Sequence, residues 1–105
     1  MLPNSSAARI VVPVFGSQHY AELRAAQDDA AALPATWEEW SARLQAQLTR
    51  GGMRREAIVM VEISLPGLRR FCAANGHPTL NREARHAYAL NCARNRDRLA
   101  REIGF

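Results

Sequence analysis

The chain contains no lysine. All 14 of its basic residues are arginine, set against 10 acidic residues for a formal charge of +4. Without lysine there is no phosphate-binding loop of the kind whose lysine reaches the terminal phosphates of a nucleotide. The interspersed acids exclude a dedicated polycationic arm. Cysteine is scarce. Cys72 and Cys92 are too few for a disulfide-stapled scaffold, and no C-x-x-C spacing occurs. Long apolar runs are missing as well: Ile10 to Phe15 falls far short of the roughly 20 residues that a membrane helix needs. Met1 to Ala8 is polar and lacks the basic start of a secretory signal. The expected setting is therefore the cytoplasm, with reduced thiols and no membrane contact.

What remains is the composition of a folded protein. Hydrophobic residues make up 48% of the 105 and charged residues 23%, within the range of ordinary globular domains. The length suits one domain. We expect a loose leader over residues 1–8 and a single domain over 9–105.

Ile10 to Phe15 is β-branched and apolar on both faces, and reads as a buried strand. Pro13 cannot donate to a ladder and limits how that strand pairs. Ser17 is placed to cap a helix running to about Ala32, with Tyr20, Leu23, Ala26 and Ala30 on one face. Leu33-Pro34-Ala35 breaks it. Thr36-Trp37-Glu38-Glu39 then has the spacing of a capping box. The helix it opens carries Trp37, Trp40, Leu44 and Leu48 and ends at Gly51-Gly52.

Glu56 to Ile63 alternates: Ala57, Val59, Val61 and Ile63 form an apolar face, while Glu56, Ile58, Met60 and Glu62 form a mixed one. That pattern predicts a strand covered on one side only. Ser64 and Pro66 open a short helix to Ala74 with Leu68, Phe71 and Cys72 inward, stopped by Asn75-Gly76. Asn81 caps a last helix from Arg82 to Glu102, whose apolar stripe is Ala84, Tyr88, Cys92, Leu99 and Ile103.

The predicted fold is thus α+β and mostly helical, in the order β-α-α-β-α-α. Two strands separated by two helices cannot form a hairpin and would pair in parallel through the crossover. A sheet of two strands is small, and an open apolar edge is a liability in a monomer. We therefore expect a homodimer that extends the sheet or packs helices across a two-fold axis.

The chemistry-bearing residues do not form a strong motif. Cys72, His77, His86 and Cys92 are the right types for zinc but the wrong spacing. Cys92 lies on the apolar stripe of its helix, and His86 points about 120° away from it. No metal and no cofactor are expected. His19 and Glu22 follow the first strand and Gly16, where a strand-to-helix turn exposes free amides. No serine stands with a base and an orienting carboxylate. No catalytic residue is assigned and the chain is not expected to be an enzyme; an enzyme would need a concave pocket holding His19 or another titratable group.

The C-terminal helix is arginine-rich. Arg94, Arg98 and Arg101 fall on one flank of its apolar stripe, and Arg82, Arg85 and Arg96 on the other. From Ala57 to about Asn95 the succession Val59-Met60-Val61-Glu62-Ile63-Ser64-Leu65-Pro66, Leu68, Phe71, Gly76, Glu83-Ala84 and Tyr88 resembles a ribbon-helix-helix DNA-binding unit. The resemblance implies an intertwined dimer whose paired strands read the major groove, with Met60, Glu62 and Ser64 facing outward. Glu62 departs from the basic or amide residues usual there, and the resemblance covers less than half of the chain. Over the whole length, Tyr20-Ala21-Glu22-Leu23-Arg24, Leu33 to Trp40, Phe71 to Gly76 and Glu83 to Ala89 resemble small proteobacterial proteins. That resemblance implies no activity.

Two functions are therefore weighed. The first is a non-enzymatic interaction protein that binds itself and a protein partner, with Trp37, Trp40 and the edge from Arg9 to Val14 as contacts. The alternative is a small DNA-binding regulator using Ser64, Arg82, Arg85 and Arg96. For the tryptophans, burial in the core competes with exposure at an interface. For the arginines, two solvated helix flanks compete with a phosphate track.

Overall fold

The computed structural model describes residues 9–102, and their side chains through Arg98. The leader at residues 1–8 and the stripe positions Leu99 and Ile103 lie outside the described side chains. The fold is α+β and mostly helical. Strand β1 (Ile10–Val14) leads into α1 (Tyr20–Ala25) and α2 (Trp37–Arg50), then β2 (Ile58–Glu62), α3 (Leu65–Asn75) and α4 (Arg82–Glu102). The strands pair in parallel, with Ile10 opposite Ile58 and Val14 opposite Glu62. Because partners in register share a face, Val11, Pro13 and Phe15 lie on the same side as Val59, Val61 and Ile63. Helix α4 packs across both strands on that side, and α3 packs against α4.

Phe15 is the hub of the core. Tyr20 and Trp40 meet its ring edge-on at 5.5 and 5.1 Å, a favoured geometry for aromatic pairs. The Trp37 indole Nε1 donates to the Phe15 carbonyl at 2.7 Å, and the Tyr20 hydroxyl donates to the Pro34 carbonyl at 2.6 Å. These two bonds fasten the connection between α1 and α2 to the end of β1. Leu23, Ile63, Leu68, Cys72 and Ala84 complete the cluster.

Several ends form as local chemistry dictates. The Thr36 capping box is complete: its hydroxyl accepts from the Glu39 amide, and the Glu39 carboxylate accepts from the Thr36 amide. Ser64 caps α3 through the Gly67 amide, and Asn81 caps α4 through the Ala84 amide. Gly76 ends α3 at φ 75°, a left-handed conformation that glycine adopts without steric cost.

The first helix departs from the sequence expectation. It starts at Tyr20 without a side-chain cap from His19 or Ser17, and it ends at Ala25 rather than Ala32. The reason lies in distant parts of the chain. The Gln27 side-chain amide donates to the Leu23 carbonyl, and the Asp28 amide donates to Leu80. Asp29 is drawn to Arg85. Only a single 3-10 turn, Ala30–Ala32, survives beyond this point. The second strand is likewise shorter than read, because Glu56 and Ala57 sit in a 3-10 turn.

Candidate interaction surface

The two faces of the sheet differ in cover. Val61, Ile63 and Phe15, beneath α4, are 1%, 3% and 4% exposed. The other face carries Ile10, Val12 and Val14 from β1, with Ile58, Met60 and Glu62 from β2. Met60 is 51% exposed and Ile10 42%, and Val12, Val14 and Ile58 are half-buried. Among the described residues no helix packs across this face as α4 does across the first. It is an aliphatic surface with one acid, Glu62, at the carboxyl end of β2.

The edges of the sheet differ too. The Ile63 amide donates to the Val14 carbonyl at 2.9 Å. In a parallel ladder the two main-chain groups of one residue point to the same neighbour, and those of the next residue point away. Ile10, Val12 and Val14 therefore bond inward to β2, while Val11, Pro13 and Phe15 present the outer edge of β1. That edge is blunted: Pro13 has no amide proton, and the Phe15 carbonyl is already taken by Trp37. On β2 the outward residues are Ile58, Met60 and Glu62. The Ile58 amide already donates to the Arg55 carbonyl of the preceding 3-10 turn, which leaves the Ile58 carbonyl and both main-chain groups of Met60 and Glu62 directed outward. Among the described residues, nothing comparable blocks Met60 or Glu62.

A cleft of about 940 Å³ lies off the carboxyl ends of both strands, between the turn at Gly16–His19 and the start of α3. His19, Glu22, Glu62 and Arg69 reach its rim, with Leu23 and Ile63 among its apolar lining. The His19 ring nitrogen Nδ1 stands 3.6 Å from a Glu22 carboxylate oxygen, and both side chains are about three-quarters exposed. The Glu62 carboxylate rests against Gly16, where an added Cβ would stand 2.7 Å from it. Ser64, also in the lining, spends its hydroxyl on the α3 cap.

The residues named for nucleic acid do not converge. Arg85 is buried, 6% exposed, and not a surface cation. Its guanidinium makes a two-point pair with Asp29 at 2.8 and 3.0 Å, donates to the Gln27 side-chain oxygen at 2.8 Å and lies over the Phe15 ring. The Arg85 hydrogen bond holds the Asp29 carboxyl below its ordinary range, against the opposing pull of burial. Sequence periodicity missed this role because a guanidinium on an otherwise apolar flank looks the same whether solvent or a carboxylate awaits it. Arg82 and Arg96 are exposed, but 14 residues along a helix separate them by roughly 21 Å.

Trp37 and Trp40 are half-buried and turned toward Phe15. The metal candidates are scattered in character. Cys72 is buried, which raises its thiol pKa, while His86 is exposed and Cys92 half-buried. His77 stacks on Phe71. Among the described residues no group of three His, Cys, Asp or Glu is placed to hold an ion, and no helix is long and apolar enough to cross a membrane. In comparisons with known proteins, no family model matches the chain, and neither a curated protein nor a solved structure is detectably similar to it.

Proposed function

We propose that the chain is a non-enzymatic interaction protein that works as a homodimer, its small sheet completed by a second copy. The observation that carries this reading is the aliphatic face of Ile10, Val12, Val14, Ile58 and Met60, across which no helix packs among the described residues as α4 does across the other. Parallel strands are ordinarily covered on both faces. A sheet of two strands gains stability from further strands or layers. A second copy supplies the same apolar chemistry, and a two-fold axis closes the assembly at two chains. Trp37 and Trp40 then act as internal supports that hold α2 to the end of β1.

The DNA-binding alternative draws less support. Its surface would have to read bases with Met60, Glu62 and Ser64, which offer an aliphatic group, a negative charge and a hydroxyl already held by the α3 cap. Of its four named residues, Arg85 and Ser64 are engaged within the fold. Sedimentation equilibrium over a hundredfold range of concentration tests the dimer. The expected result is a reversible monomer–dimer fit; a monomer throughout would overturn it.

A second reading attaches to the cleft beyond the strand ends. Open parallel sheets commonly seat ligands off the carboxyl ends of their strands, and this cleft has the size of a small-molecule site. It also holds His19, the feature that an enzyme would require. Amide shift mapping with a panel of small-molecule fragments tests it: shifts gathered on residues 16–19 and 63–66 would favour the cleft, and their absence would remove it.

A further inference from the structure

We infer that the second copy docks on the outer edge of β2, antiparallel to it, with Met60 on the two-fold axis. The inference rests on the self-association proposed above and specifies its geometry. The result is a four-stranded sheet in which the two β2 strands are central and the two β1 strands lie outside.

The choice of edge follows from hydrogen-bond direction. β1 offers an outer edge broken by Pro13 and by the Trp37 bond to the Phe15 carbonyl. β2 offers two successive outward residues, Met60 and Glu62, each with a donor and an acceptor, and the carbonyl of Ile58, whose amide is bonded to Arg55. A β2 edge can therefore pair with a copy of itself through Met60, Glu62 and the Ile58 carbonyl, whereas a β1 edge has no two successive outward residues intact.

The choice of direction follows from charge. β2 is preceded by exposed Arg54, Arg55 and Glu56, net positive, and ends at exposed Glu62. Antiparallel pairing brings the acidic end of one strand to the basic end of the other, whereas parallel pairing joins like to like. The register follows from overlap. With Met60 opposite Met60 of the second copy, all five residues of β2 are paired, and Glu62 faces Ile58. A slip of one residue toward the amino end sets Glu62 against Glu56. A slip of two toward the carboxyl end sets Glu62 against Glu62.

This geometry places the two Met60 Cα atoms about 5.5 Å apart, as in a hydrogen-bonded antiparallel pair, within reach of a disulfide. The two Ile10 positions lie three strand spacings apart and, because each pairs with Ile58, four residues apart along the strands as well, about 20 Å in all and well beyond it. Both side chains are exposed, so either can be changed without opening the core. The experiment oxidises Met60→Cys and Ile10→Cys with copper phenanthroline beside the unsubstituted protein, and measures the mass of each before oxidation. A covalent dimer from Met60→Cys alone is the expected result. A dimeric mass with no link through Met60→Cys, or with a link through Ile10→Cys instead, overturns the β2 docking and leaves self-association standing. A monomeric mass overturns both.

Discussion

The two faces of the sheet are both largely aliphatic, with Glu62 the one acid on the second, and they have different fates. Val59, Val61 and Ile63 alternate with Ile58, Met60 and Glu62 along one strand. The first set lies under α4, with Val61 at 1% exposure, and the second leaves Met60 at 51%. A face built of aliphatic residues gains its full stabilisation only when removed from water, at roughly 25 cal/mol per Å² of apolar area. The covered face shows that the strands are suited to burial. On the proposed reading, the open face obtains its cover from association.

The contrast can be broken from the covered side first. Leu68 is fully buried in the core cluster. Leu68→Ala is expected to cost about 3 kcal/mol of unfolding free energy by leaving a cavity, measured by urea denaturation. Arg85→Ala comes next, at about 2 kcal/mol. It leaves the Gln27 and Asp29 oxygens without their partner, and the cost is moderated because Asp29 remains 29% exposed to water. The same substitution should alter the response to acid. Asp29 titrates below its ordinary value in the folded chain, so its contribution is present above the ordinary carboxylate range and is lost as pH falls through the depressed value. Denaturation midpoints followed into acid should therefore fall more steeply for the unsubstituted protein than for Arg85→Ala.

On the open face the expectation reverses. Met60→Lys changes a side chain that is half in water and should alter the stability of the isolated fold by less than about 0.5 kcal/mol. It should nevertheless remove the dependence of the melting temperature on protein concentration that a dimer confers. A core-sized loss of stability from Met60→Lys, at a concentration where the protein is monomeric, would show that this face is covered within the chain.

What was legible in the sequence was local. The Thr36–Glu39 capping box, the Gly76 stop and the Asn81 start depend on neighbours within a few positions, and each forms as its spacing indicates. The two-residue alternation in β2 is enough by itself to mark one face as apolar and the other as mixed. The end of α1 was not legible. It is set by Gln27 and Asp29 reaching Arg85, more than 50 positions away, and no local propensity reports on such a partner. Pro13 hinted at a restricted β1 edge, but the free edge of β2 depends on the register that turns Met60 outward, which alternation does not encode. The candidate surface was thus half visible: its residues could be named, but not the direction of their backbone groups.

Amide hydrogen exchange at Met60, followed as protein concentration is raised, tests the central claim most directly. The amide of Met60 points away from β1, and among the described residues it has no ladder partner. The account predicts fast exchange in dilute solution and protection that grows with concentration, shared by Glu62. Fast exchange at Met60 at every concentration would contradict it.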